Sequence, residues 1–320
     1  MALLLDRVIH RLKLRDLLLL QAVVQWRSMA KAAAHLHLTQ PAVSKAISEL
    51  EHTFGVQLLD RGRQGLEPTP YGQALIRRGI SMFDELRQGI NEIESLSDPE
   101  AGEARVAVSV MMAAGILPVI VDQLSRQYPR ISVVAQEVSI GLLPFYALPY
   151  RELRERAVDL TLGPIVGAAA TGDLEIETLF GDTLAVAAGK QNRWVGRRGV
   201  ALQDLAEERW CLPPLDSAAG LRCVEAFRGN AMDLPKTNVT TMSVHLQIGL
   251  LSTQEYLTIL PGSLIHFGAA RLGIRKLPIK LDVPPQPVGI ITLRDRTISS
   301  AAQIFVRFAR EISRPLHGEQ

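Results

Sequence analysis

The chain is poor in the groups that most often carry chemistry. With 2 cysteines in 320 residues it has no disulfide framework. Aromatic residues make up only 5%. The 7 histidines (His10, His35, His37, His52, His245, His266 and His317) are scattered and form no ligand-spaced cluster, so no metal is expected. No G-x-S-x-G elbow, phosphate-binding glycine loop or dinucleotide fingerprint occurs. An enzyme reading therefore has no catalytic group to rest on, and no cofactor is expected. The apolar run at 17–20 is far below the roughly 20 residues needed to span a bilayer, and polar residues flank it. No secretion-signal pattern opens the chain, which with the scarce cysteine gives the expectation of a cytoplasmic protein without a membrane partner. The net charge is only +2, so a surface that binds polyanions must be local.

What is present is a sizeable apolar fraction, 47%, against 21% charged residues, in a chain long enough for two or three domains. The organising stretch is residues 28–55, SMAKAAAHLHLTQPAVSKAISELEHTFG. Ser28 is placed to cap a short alanine-rich helix, in which Ala32, Ala33 and Ala34 permit close approach by another helix. Thr39 is placed to cap a second helix, with Pro41 in the first turn and Gly55 at the left-handed position that ends it. Val43, Ile47, Leu50 and Phe54 recur at steps of four, three and four and so share one face. Gln40, Ser44, Lys45 and Ser48 share the other. Two helices, a tight turn and a polar outer face on the second helix describe a helix-turn-helix.

Around it, residues 12–26 read as a helix, with Leu14, Leu17, Leu18 and Val24 available for packing. Residues 56–70 place Leu58, Leu59 and Leu66 around Arg61, Gly62, Arg63 and Gly65, which reads as a β-hairpin wing. Arginine at such a tip suits a narrow minor groove. Thr69 then caps a long helix whose apolar stripe, Ile76, Ile80, Phe83, Leu86, Ile90 and Ile93, has the spacing of a helix that pairs with another helix. Residues 97–103 break that pattern. Beyond them strands and helices alternate, the signature of a parallel sheet with crossovers.

The runs Ala32-Ala33-Ala34-His35-Leu36, Leu38 to Lys45, Ile47 to Glu51 and Phe54 to Arg61 resemble the N-terminal domain of the LysR-type transcriptional regulators. The resemblance continues more weakly over the rest of the chain. It implies a winged helix-turn-helix (1–68), a dimerisation linker helix (69–98) and an α/β effector domain like a periplasmic solute-binding protein (99–320). In that domain lobe I would hold about 104–164 and 267–320, and lobe II about 165–266. It implies paired recognition helices in the major grooves of an interrupted inverted repeat at a promoter. Thr39, Gln40, Pro41, Ser44 and Lys45 would touch bases and phosphates, Lys31 a phosphate, and Arg61 or Arg63 the wing contact. Lys45 stands where many relatives carry arginine, and lysine lacks the planar bidentate fork for guanine. RNA polymerase and a homodimer or homotetramer are further implied partners.

For the effector, the strand ends and helix starts of the α/β part supply the candidates. Ser109, Met111, Ser139 and Ser217 come first, with His245 and Pro261 behind them. The serines suit a carboxylate or hydroxylated metabolite, and Met111 with Met112 adds an apolar share. A peroxide-sensing branch of the same family uses a cysteine pair in this region, so redox control through Cys211 and Cys223 is an alternative. A stand-alone solute-binding module is another, but it has no use for residues 28–55. The stripe predicts that Ile80→Asp combined with Phe83→Asp gives monomers on size exclusion; dimers that persist place the interface elsewhere.

Overall fold

A computed structural model describes residues 8, 10–63, 65–138, 150–166 and 172–318. The chain divides into two compact units, Met1–Gly89 and Ile90–Gln320.

The first unit holds α1 (Leu14–Trp26), α2 (Met29–His35), α3 (Gln40–Phe54), a hairpin of β1 (Leu59–Gly62) and β2 (Gly65–Pro68), and most of α4 (Pro70–Ser97). Leu20 and Val23 of α1, Ala32 and Ala33 of α2, and Val43, Ile47 and Leu50 of α3 form its core. Leu17 is buried as expected, but Leu14 and Leu18 are 43% and 46% exposed. The helical period sets those two opposite Leu20 and Val23, and Leu19 and Leu20 turn inward instead.

Ser28 caps α2 by accepting the Lys31 N–H at 3.4 Å. His37 makes the turn to α3 in the left-handed conformation, with φ 55°. Thr39 occupies the cap position of α3, yet its hydroxyl makes no capping bond. The reason lies in the first turn, where Pro41 has no N–H and those of Ala42 and Val43 reach the Thr39 carbonyl at 3.1 and 3.2 Å. Gly55 ends α3 with φ 72°. Gly65 begins β2 with φ 118°, and a Cβ there would lie 2.5 Å from the Arg27 carbonyl oxygen, so only glycine fits. Thr69 caps α4 through the Gly72 N–H at 3.1 Å.

The second unit is built on two five-stranded sheets. The first has the order β4-β3-β5-β12-β6, from β3 (Ala101–Ser109), β4 (Arg130–Val138), β5 (Leu160–Pro164), β6 (Leu174–Asp182) and β12 (Gln286–Leu293). The second has the order β11-β7-β10-β8-β9, from β7 (Leu184–Gly189), β8 (Arg209–Leu212), β9 (Thr237–Thr240), β10 (Tyr256–Pro261) and β11 (Ile274–Lys276). Seven α-helices begin among the described residues of this part. The helices that matter for the site are α5 (Val110–Ala114), α6 (Leu117–Gln127), α7 (Arg151–Arg154), α8 (Ala218–Gly229), α9 (Val244–Ser252), α10 (Gly262–Leu272) and α11 (Ser300–Ser313).

Both sheets are mixed, which corrects the expectation of a parallel sheet. β12 runs against both its neighbours, and β7 runs against β10 and β11. The cause is the connection, since Thr183 alone separates β6 from β7 and the chain passes straight from one sheet into the other. The lobe limits shift with it. β6 completes the first sheet although it falls within the stretch 165–266, and β11 joins the second although it falls beyond it. With three residues β11 is too short to carry a periodic signal, whereas β6, nine residues long, does not alternate cleanly between buried and exposed positions.

A buried ionic clamp ties the first sheet to the segment before α11. Asp159 accepts Nη2 of Arg105 at 2.8 Å and Nη2 of Arg296 at 2.9 Å on one carboxylate oxygen. Its other oxygen takes the Arg105 N–H at 2.9 Å. The Arg296 side chain is 0% exposed, so removing its partner strands a buried charge. Asp159→Ala is expected to lower stability by about 3 kcal/mol or more in thermal or denaturant unfolding. The exposed pair Arg126 and Asp122 is the contrast, and Arg126→Ala is expected to cost less than about 1 kcal/mol. Equal losses from the two variants contradict the clamp.

Candidate functional site

Two surfaces carry the sequence's candidates, one in each unit. In the first unit the buried residues of α3 are Val43, Ile47, Leu50 and Thr53, and Gln40, Pro41, Ser44, Lys45 and Ser48 are exposed. Lys31 and Thr39 are exposed as well, as are Arg61 and Arg63 at the hairpin. The Lys45 ammonium stands 3.9 Å from the Glu49 carboxylate, with both side chains largely in solvent. Such a pair contributes little, and the lysine remains available to another anion. Glu51 does what the sequence did not disclose. Its carboxylate accepts the Leu58 and Leu59 N–H groups at 2.8 and 3.3 Å and so fixes the start of the hairpin to α3.

Along α4, Ile76 packs against the helix-turn-helix core, while Ile80 and Phe83 are half-buried. Leu86, Ile90 and Ile93 are 49%, 49% and 68% exposed. An apolar row of that exposure is unusual on a surface that faces only water.

In the second unit a cleft of about 260 Å³ opens where the sheets meet, bordered by residues of both. Ser109 at the end of β3, Met111 and Met112 of α5, and Pro261 at the end of β10 line it. Ser217 and His245 do not. The Ser217 hydroxyl is taken up in capping α8, donating to the Pro214 carbonyl at 2.6 Å and accepting the Gly220 N–H at 3.0 Å. His245 follows the lining residue Val244 on α9, and one helical step turns it to solvent. Ser139 lies outside the described residues.

The polar lining the sequence missed comes from elsewhere. Asp182 ends β6 and pairs in register with Gln286, and both line the cleft. Burial pushes the Asp182 carboxyl above its usual value, against the pull of the Ser263 hydroxyl and N–H, which both donate to it. Arg222, one turn into α8, donates to the Pro284 carbonyl at 2.8 Å and to Oε1 of Gln286 at 3.3 Å. Gln247 of α9 is 2% exposed. Periodicity places a helix face but not what that face meets, so Arg222 and Gln247 read only as helix residues.

Cys211 and Cys223 are free and buried. Burial pushes the Cys211 thiol up and that of Cys223 to about 12. A redox-sensing cysteine requires the opposite shift, because the thiolate is the reactive form. Among the described residues no group of three or more His, Cys, Asp or Glu is placed to hold a metal ion. No helix of the described residues is long and apolar enough to cross a membrane.

A helix-turn-helix with a wing, followed by a two-sheet domain around a cleft, defines a DNA-binding regulator controlled by a ligand. Comparison with known families agrees. Residues 14–73 match the family described as "Bacterial regulatory helix-turn-helix protein, lysR family", and residues 97–314 match the "LysR substrate binding domain". The chain belongs to the LysR family, and it is a DNA-binding transcriptional regulator with an effector-binding domain rather than an enzyme. It is 26% identical over 302 residues to the HTH-type transcriptional regulator TdcA of Escherichia coli K12, covering 94% of this chain and 93% of TdcA. It is 25% identical over 306 residues to the HTH-type transcriptional regulator GbpR of Azospirillum brasilense, covering 95% and 87%. Its fold is similar to that of full-length CbnR in a crystal structure with its target DNA, at TM-score 0.62 and 18% identity, covering 94% of this chain and all (100%) of CbnR. The cysteine environments predict that a thiol reagent labels neither Cys211 nor Cys223 at neutral pH until the protein is unfolded. Rapid labelling of either in the native state reopens redox control.

Proposed function

We propose that the exposed face of α3 enters the major groove, with Gln40 and Ser44 at base edges and Lys45 on phosphate. Thr39 and Pro41 lie at the helix start near the backbone, Lys31 supplies a further phosphate contact, and Arg61 or Arg63 reaches the minor groove from the wing. The observation that carries this reading is the division of α3 itself. Its apolar residues are buried in the domain core, and its short polar residues stand free in a run with no bulky side chain among them.

The wider reading has a winged helix-turn-helix at 1–68, a linker helix at 69–98 and an effector domain at 99–320. Ile80, Phe83, Leu86, Ile90 and Ile93 pair the linker helix with that of a second copy, and a dimer of dimers sits on an interrupted inverted repeat. A small molecule in the cleft, touching Ser109, Met111 and Pro261, alters how the subunits are arranged and thereby how RNA polymerase is engaged. The setting is the cytoplasm.

The test is a salt-titrated binding series on one DNA site. Lys45→Ala is expected to weaken binding to every sequence alike and to lower the salt slope by about one. Gln40→Ala is expected to cost about 1–3 kcal/mol at one base pair and to relax the choice there. If Lys45→Ala loses affinity at one base pair only and Gln40→Ala loses it uniformly, the two roles are reversed.

A further inference from the structure

The cleft's own polar groups define the chemistry of what it holds. Three observations combine. First, α8 begins at the cleft. Ala218, Ala219 and Arg222 line it, at a spacing that puts them on one helix face. Ser217 satisfies the Gly220 N–H. The N–H groups of Ala218 and Ala219, in the first turn, have no acceptor within the helix. They meet the positive end of a 12-residue helix dipole, and the Arg222 guanidinium stands one turn further on.

Second, two buried side-chain atoms of the lining have no hydrogen-bond partner among the described residues: Oγ of Ser109, in a residue 7% exposed, and Oε1 of Gln247, in a residue 2% exposed. An orphaned buried polar atom keeps its desolvation cost, so a ligand that pairs it gains affinity. The Gln247 oxygen accepts only, so a carboxylate cannot satisfy it and a hydroxyl or ammonium can. Third, the remaining wall is mostly apolar and includes the adaptable side chains of Met111, Met112 and Met242. The volume lies just below the usual range for small-molecule sites, which favours a small ligand.

Among the described lining residues, Asp182 is the one carboxylate that opposes an anion. Its carboxylate is engaged by Ser263, and its charge is disfavoured by burial. Burial also pulls the Arg222 guanidinium down from its usual value, against the attraction of Glu225 and Asp182, but an arginine stays protonated near neutral pH, and this one has used two donors of five.

We propose that the cleft binds a small carboxylic acid with an apolar body and a hydroxyl or ammonium donor, the carboxylate seated on the first turn of α8 and Arg222 and the donor on Gln247. The proposal rests on the effector-cleft reading above and gives that site its ligand class. Ser109 then completes the pairing with either polar group.

The experiment is calorimetric titration of the full chain with three sets of probes. These are benzoate, salicylate and benzamide; isocaproate, its 2-hydroxy derivative and its amide; and leucine with leucinamide. The expected result is binding by at least one hydroxylated or aminated acid, with its amide weaker by about tenfold or more. Arg222→Gln is expected to lose about tenfold for acids and nothing for amides, and Arg222→Lys to recover part of the loss. Gln247→Leu is expected to abolish the advantage of the hydroxylated acid over its parent. The unfolding midpoint of each variant, read alongside, shows that the fold is kept.

Amides that bind as well as acids, or acids indifferent to Arg222→Gln, overturn the ligand class. So does the absence of any acid binding at millimolar concentration. A mixed collection of neutral and cationic metabolites separates this failure from that of the effector-cleft reading. A neutral or cationic binder that alters DNA binding leaves the effector cleft standing and removes the acid. No binder of any charge removes both.

Discussion

The effector domain turns on Asp182. This carboxylate ends the last strand of the first sheet and takes both the N–H and the hydroxyl of Ser263 at the start of α10. One residue later the Thr183 carbonyl accepts the Gly262 N–H at 2.7 Å, and the chain is already in the second sheet. The crossing sets strand neighbours on both sides of the cleft, Gln286 against Asp182 and Pro261 against Leu184. All four line the cleft. A buried carboxylate with two donors from one residue is a directional tie, and apolar packing alone does not fix a crossing angle in that way.

From that tie follow the features a ligand would feel. The first sheet brings Ser109 and the α5 methionines to the cleft, and the second brings α8 and α9 with Arg222 and Gln247. The site is therefore bordered by two separately packed cores, one around Phe305 and Ile120, the other around Trp210 and Phe227. Trp210 is fully buried, and its indole N–H reaches the Leu205 carbonyl at 2.9 Å. Each core is densely packed by itself, and a third apolar cluster joins them, with Val110, Met111 and Ala114 of α5 packed on the buried group that holds Leu260, Leu264 and Ile265.

The N-terminal unit was the more legible from sequence, for a physical reason. Its information is local. Val43, Ile47 and Leu50 announce a helix face, Ser28 and Thr69 announce caps, and Gly55 announces an end, all within a turn or two of the residues concerned. Local reasoning failed at Thr39, where Pro41 removes a donor and the Thr39 carbonyl does what the hydroxyl was expected to do. It failed again at Leu14 and Leu18, where leucines on every side of α1 hid the true inner face.

In the effector domain the alternation of strands and helices is legible, but the antiparallel members of both sheets are not. Sheet order and strand direction depend on contacts distant in sequence, which periodicity does not report. The same limit explains the site. Strand ends were visible, so Ser109, Met111 and Pro261 were named, and they do line the cleft. A serine that caps a helix cannot be told in sequence from one that meets a ligand, and Ser217 proved to be the former. Arg222 and Gln247 gain meaning only from what the crossing at Asp182 brings opposite them.

The most direct test of the account is selection of bound fragments from the source genome by the purified full chain, followed by footprinting of the recovered DNA. The account predicts an interrupted inverted repeat beside a gene cluster, protected on both half-sites. Absence of any enriched sequence even at low salt, where phosphate contacts are strongest, would contradict the reading of α3 as the element that recognises DNA.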